Sequence, residues 1–225
     1  IKRNIGRDSY LLNPGVDTQV FHPYVDVDNK YKNLEKIRVV SYYSPAKFKA
    51  WDDAITAMKI VFRKISSDRL EWIMFGGIPP STPDLPVKFV GKIFGDSLAQ
   101  LYSNAHICFM NSWYESFPLP PIEAMACGTA VITTRIGTED YAFDGDNSLV
   151  VPPRSPEALA EAIIRLIEDP SLASRLAKSG VETSRQFSWD RAGKHLEDII
   201  RQALVSNRTE QFSDVPKLVS GKFDV

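Results

Sequence analysis

Two glutamates, Glu115 and Glu123, stand with seven residues between them in SWYESFPLPPIEAMACGTAVITT (residues 112–134), three of those seven being proline. A carboxylate can accept two O–H groups at once, each such charge-assisted bond being worth roughly 1.5–3 kcal/mol gross, so two acids suit the vicinal hydroxyls of a sugar or a ribose. Pro118, Pro120 and Pro121 cannot lie deep in a helix but one of them can occupy a first turn, which predicts a helix from about 119–121 through IEAMAC to Gly128. The start of that helix faces the loop carrying Glu115. Unpaired N–H groups of Phe117, Leu119 and the first turn, with the positive end of the helix dipole, make an anion site there that would fit a diphosphate. Acids beside an anion site are coherent when they serve the neutral parts of the same ligand, Glu123 the ribose of a nucleotide and Glu115 the hydroxyls of a sugar at the other end. Plainer readings compete: Glu123 as a first-turn acid offsetting the dipole, and Glu115 as an exposed loop acid. A hydrolase is a third, in which both carboxylates flank one glycosidic bond at roughly 5–10 Å.

The elements that must position these residues follow from alternating short apolar runs and helical patterns. IRVVSYY (37–43) precedes a helix over 51–64; EWIMFGG (71–77) and VKFVG (87–91) precede one over 95–104. HICFMN (106–111) precedes the proline-started helix and AVITT (130–134) follows it. This rhythm predicts an α/β chain with a Rossmann-like parallel sheet and helices on both faces, whose ligands sit outside the carboxyl ends of the strands. Residues 1–36, rich in Asn, Pro, Gly and Asp, read as an entry segment packed on the domain. Beyond SLVVPPRSP the pattern is helical only. A helix over 155–168, capped by Ser155 and stopped at Asp169-Pro170, is followed by helices at about 171–186 and 189–204. The domain is expected over 37–204, and 205–225 as a polar, poorly ordered tail.

Glu115-Ser-Phe-Pro-Leu-Pro-Pro-Ile-Glu123 followed by AMACGTAVITT resembles the E-x7-E signature of the retaining family 4 glycosyltransferases, the group 1 transferases of GT-B architecture. LLNPGVDTQVFHP is similar to that family's entry into its second domain, RIGTEDYAFDGDNSLVVPPRSPEALAEAI to the stretch after the signature, and FSWD to its closing helix. The resemblance implies the C-terminal, donor-binding half of a GT-B enzyme, with the acceptor-binding N-terminal domain missing from this chain and the reaction in the cleft between the two. It implies a nucleotide sugar as donor, a hexosyl or deoxyhexosyl group passed to a glycan or other acceptor, and no metal or other cofactor. Polysaccharide synthesis is the expected context, with peripheral attachment of a full-length enzyme to a membrane left open.

The family places an Arg and a Lys five residues apart in the loop after its first strand, where they meet the diphosphate. In YYSPAKFKAWDDAITA the Lys matches Lys49, but Ser44 stands at the Arg position and Lys47 is the substitute, a point charge in place of a bidentate fork. The resemblance thus makes Glu115 and Lys49 the catalytic residues. Ser44, Lys47, Gly76, Gly91, Ile93, Ser116, Phe117, Pro118, Leu119 and Glu123 become donor contacts, the glycines by close backbone approach or simply as turns. Ser44 also keeps open a nucleotide-sugar binding module without catalysis.

Composition narrows the rest. With 27 basic and 28 acidic residues and a formal charge of -1, the chain lacks the basic excess a nucleic-acid surface needs. No apolar run approaches the roughly 18 residues that span a bilayer, and IKRNIGRDSY lacks a signal-peptide layout, so the expectation is a soluble, cytoplasmic protein. Cys108 and Cys127 sit in core-like runs and make neither a disulfide framework nor a zinc site. Asp144-Gly-Asp146 reads as a turn in place of a metal-binding D-x-D; His22, His106 and His195 are too scattered to be a ligand set; Asn207-Arg-Thr209 is a chance glycosylation match.

Overall fold

A computed structural model of the chain describes residues 10–32, 34–77 and 85–209. Its strands are β1 (Ile37–Tyr43), β2 (Leu70–Gly76), β3 (Val87–Phe89), β4 (Ile107–Met110), β5 (Ala130–Thr134) and β6 (Leu149–Val151). They form one parallel sheet in the order β3-β2-β1-β4-β5-β6. The helices are α1 (Val27–Lys30), α2 (Trp51–Lys64), α3 (Gly95–Asn104), α4 (Leu119–Ala126), α5 (Pro156–Glu168), α6 (Pro170–Ser184) and α7 (Trp189–Thr209).

Because successive strand residues point to opposite faces, the sheet divides the core in two. Val39, Trp72, Met74, Ile107, Phe109 and Ile132 pack with Ala54, Met58 and Val61 of α2 and Leu159, Ile163 and Leu166 of α5. Val40, Ile73, Phe75, Cys108 and Val131 pack with Leu98, Ala99 and Tyr102 of α3 and Ile122 and Met125 of α4. Strands covered on both faces read as continuous apolar runs, which is why ICFM and AVIT carry no polar alternation. The Rossmann-like parallel sheet expected from the sequence is therefore the one found.

Three details differ from the sequence reading. A sixth strand, β6, pairs with β5 from within SLVV, a run to which the sequence reading assigned no element. The side chain of Ser155 makes no capping bond, whereas Asp169, read as a stop, accepts the Leu172 N–H at 2.9 Å and starts α6. Helix α7 runs past the expected boundary at 204 to Thr209; the side chains of 205–209 and the rest of the expected tail, 210–225, lie outside the described residues, as do 1–9 of the entry segment.

The described part of that entry segment is tied down. Val16 is buried and donates its N–H to the Phe187 carbonyl at 2.6 Å. Tyr31 reaches the edge of the sheet, where its hydroxyl donates to the His106 carbonyl at 2.7 Å and accepts from the Ala130 N–H at 2.9 Å.

Candidate functional site

Strand order reverses between β1 and β4, and a doubly wound sheet opens a crevice at that point beyond its carboxyl edge. Two loops flank it: residues 44–50 after β1, containing a 3-10 turn at Lys47–Lys49, and residues 111–118 after β4. They are bonded to each other. The Trp113 N–H donates to the Phe48 carbonyl at 2.7 Å, Asn111 Nδ2 donates to the Ala50 carbonyl at 2.8 Å, and the Phe48 and Tyr114 rings stack at 5.1 Å. Ala50, buried at the head of α2, is held in the left-handed region at φ 54, uncommon for a residue with a side chain. From the other side, Thr134 Oγ1 donates to the Ser112 carbonyl at 2.6 Å. Gly137, at φ 90, packs so tightly on Glu115 that a Cβ there would lie 2.6 Å from the Glu115 carbonyl carbon. The loop carrying Glu115 is thus clamped from both flanks.

Within this frame Lys49 Nζ donates to Glu115 Oε1 at 2.5 Å, with the two side chains 18% and 13% exposed. The ammonium also lies 5.5 Å from the Tyr42 ring centroid and 5.3 Å from that of Phe48. Tyr42 connects this ion pair to a cavity of about 470 Å³ that includes Ser44, Phe75, Gly76, Ile93 and, from α4, Glu123. Among the described residues the Glu123 carboxylate has no hydrogen-bond or ion-pair partner, and burial pushes its pKa up to about 7. Larger cavities of about 740 and 600 Å³ lie near Leu12 and His195 and near Arg135 and Phe143. Size does not decide between them: the smaller one carries the half-buried acid without a partner, at the crevice of the sheet.

Helix α4 does begin at the prolines, with Pro118 as N-cap, but the prolines also thin out its donors. Pro120 and Pro121 have no N–H, so the first turn offers an anion the single N–H of Leu119, supplemented by those of Ser116 and Phe117 in the loop. The first turn holds no acid, and Glu123 lies one turn further in. Dipole compensation therefore does not account for it, and facing the cavity does.

The predicted residues sort by place. Ser44, Gly76, Ile93 and Glu123 share the cavity, while Lys49 and Glu115 meet beside it. Lys47 and Ser116 are exposed on the two loops. Gly91, at φ 78, accepts the Gly76 N–H at 3.0 Å and serves the turn. Phe117 packs its ring inward on Tyr141 and Phe187, and the Pro118 carbonyl accepts from the Tyr141 hydroxyl at 2.8 Å. Lys92 and Phe94 flank Ile93 in the cavity lining; sequence reasoning missed Tyr42 there and Trp113 beneath the Glu115 loop. Aromatic residues in apolar strands look like core, and nothing local marks these. Asp144 accepts the Val150 N–H at 2.9 Å, a turn role, and among the described residues no three of His, Cys, Asp or Glu cluster to hold a metal ion. His106 accepts the Arg38 N–H at 2.9 Å and burial pulls it down to about 4; its role is packing. No helix among the described residues is long and apolar enough to cross a membrane.

With this geometry in place, the comparisons with known proteins are specific. Residues 36–169, from the first strand to the end of α5, match the family described as glycosyl transferases group 1. A D-inositol 3-phosphate glycosyltransferase of Corynebacterium glutamicum is 27% identical over 221 residues, covering 89% of this chain and 53% of the relative. Among solved structures, sucrose-phosphate synthase from Thermosynechococcus elongatus superposes with a TM-score of 0.70 at 29% identity, covering 88% of this chain and 53% of that one. Anabaena HepE in complex with UDP-glucose superposes at 0.70 with 17% identity, covering 85% and 57%. The chain thus spans about half the length of these proteins, and its fold is that of the GT-B glycosyltransferases, of which it forms one Rossmann-like half. The chain belongs to the group 1 glycosyltransferases.

Proposed function

We propose that this chain is the donor-binding half of a retaining glycosyltransferase and holds a nucleotide sugar across the crevice between β1 and β4. The observation that carries the reading is the half-buried Glu123 carboxylate, without a partner in its cavity, beside the Lys49 and Glu115 pair. Burying an acid costs stability unless a partner repays it, and the two ribose hydroxyls of a nucleotide are such a partner. The base then lies between Tyr42, Phe75 and Ile93, and the diphosphate runs toward Lys49.

When a diphosphate enters, Lys49 exchanges its bond to Glu115 for phosphate oxygens, and Glu115 turns to the sugar hydroxyls. Departure of the nucleoside diphosphate from the anomeric carbon builds negative charge on the distal phosphate. The Lys49 ammonium and the Leu119 N–H are placed to stabilise it. Lys47, exposed on the same turn, supplies the second cation in place of the Arg that Ser44 displaces.

Retention of configuration, independence of metal, a role in polysaccharide synthesis and a cytoplasmic location belong to the same proposal and rest on the family resemblance. So does a second, acceptor-binding domain, which the half-length coverage of the relatives supports. The raised Glu123 is the one observation favouring a hydrolytic acid pair, but family membership and the neutralising lysine on Glu115 weigh against it.

Calorimetry with UDP, GDP, ADP and dTDP and their glucose esters tests the proposal; UDP-glucose leads because HepE was solved with it. At least one pair binds the unmodified chain, and Lys49→Ala or Glu123→Gln weakens that binding, while the 225-residue chain alone transfers no sugar to an acceptor. A chain that binds no nucleotide in the panel contradicts the donor reading, and one that glycosylates an acceptor by itself contradicts the need for a second domain.

A further inference from the structure

Among the described residues, two with side chains occupy the left-handed backbone region, Ala50 at φ 54 and Arg154 at φ 59, and both bear on the loop that carries Glu115. Ala50 does so through its carbonyl, which accepts from Asn111. Arg154 comes from the opposite side, in the PPRSP segment between β6 and α5, and its guanidinium carbon lies 4.2 Å from the centroid of the Trp113 indole. The same indole donates Nε1–H to Asp53 Oδ2 at 2.8 Å, and its own main-chain N–H is the one bonded to Phe48. Trp113 is therefore held by its ring edge, its ring face and its backbone, two residues before Glu115.

A glycine at position 154 would adopt this conformation without steric cost. Arginine there bears a strain that its packing alone does not explain, because the side chain is exposed and its described contact is the indole face. Backbone strain of this kind clusters at functional sites, which points to a role for the side chain. We propose that Arg154 is a positioning residue for the sugar end of the donor, acting through Trp113 to hold Glu115 where it meets the sugar hydroxyls. This inference rests on the donor-binding reading above. Lys49 does not depend on it to the same degree, because the 3-10 turn carries its own bonds, Lys49 N–H to the Ala46 carbonyl at 2.9 Å and Ala50 N–H to the Lys47 carbonyl at 3.1 Å. The device thus sets the affinity gained from the sugar and leaves the nucleotide end alone.

The test compares UDP-glucose with UDP on the unmodified chain and on Arg154→Gly and Arg154→Lys, by calorimetry, with thermal melting alongside. For Arg154→Gly we expect an equal or higher Tm, UDP affinity unchanged, and UDP-glucose affinity lowered about two- to fivefold, the span an exposed cation–π contact supplies. Arg154→Lys keeps a cation over the ring and recovers part of the loss. A glycine variant that keeps the full gain from the sugar, or loses UDP and UDP-glucose alike, overturns the inference, as does a lysine variant no better than glycine. An unmodified chain that binds UDP but gains nothing from glucose overturns it while the nucleotide-binding reading stands; one that binds no nucleotide in the wider panel overturns both.

Discussion

Binding of a nucleotide sugar should switch on between pH 6 and pH 8 through Glu123. Burial raises this carboxyl to about 7. The neutral acid has one good acceptor oxygen, whereas the carboxylate accepts both ribose hydroxyls, so binding favours the ionised form. A group of that pKa is roughly one-tenth ionised at pH 6 and nine-tenths at pH 8, which makes the affinity at pH 8 about tenfold higher. The diphosphate of a nucleotide sugar is esterified at both ends and keeps its charge over this range, so the ligand contributes no slope. Lys30, also drawn by burial to about 7, donates to the Ser103 carbonyl at 3.1 Å and does not line the cavity. Calorimetry of UDP-glucose binding at pH 6, 7 and 8, repeated at pH 7 in buffers of different ionisation enthalpy, should give the tenfold rise and the release of about half a proton per ligand. Glu123→Gln should bind more weakly and without slope. A flat profile in the unmodified chain, or an equal slope in the glutamine variant, would refute the assignment of Glu123 to the ribose.

Three further outcomes follow from the same structure. In the absence of ligand, a folded-state pKa lifted from 4.5 to about 7 means that the unfolded chain ionises first as pH rises; Glu123→Gln should therefore gain up to about 3 kcal/mol over the unmodified chain in denaturant melts at pH 8 and little at pH 4. Lys30 carries the opposite sign of charge: burial lowers it from 10.5 to about 7, so the folded state loses stability as pH falls from about 10 to 7, and the Tm gain of Lys30→Met should grow over that interval. Gly137→Ala places a Cβ against the Glu115 main chain at φ 90; it should cost about 2 kcal/mol in urea melts and weaken UDP-glucose more than UDP, and an unchanged melt would show that the contact yields freely.

What the sequence disclosed was local. Proline has few tolerated places in a helix, so PLPP located the start of α4 to within a residue, and the scarcity of N–H groups there was implicit in the same letters. Short apolar runs alternating with helical patterns pointed to a parallel sheet, and a sheet of that kind gathers its loops at one edge. β6 escaped because three residues, Leu149–Val151, followed by two prolines are too short to show a period. The end of α7 was placed early because VSNRT carries no apolar stripe past Leu204. Long-range pairings left no local trace: Lys49 and Glu115 lie 66 positions apart, and the acid expected on the sugar turned out to hold the lysine expected on the phosphate. Trp113 was invisible for the same reason, its partners Asp53 and Arg154 lying far from it on either side in the chain.

The most direct measurement is a crystal structure of this chain with UDP-glucose, or with whichever nucleotide sugar binds it in the calorimetric panel. The account predicts the ribose hydroxyls on Glu123, the diphosphate between Lys49 and the Leu119 N–H, the sugar on Glu115, and the Lys49 to Glu115 bond opened. A nucleotide found outside that crevice, or one seated there with Glu123 turned from the ribose and the ion pair intact, would contradict it.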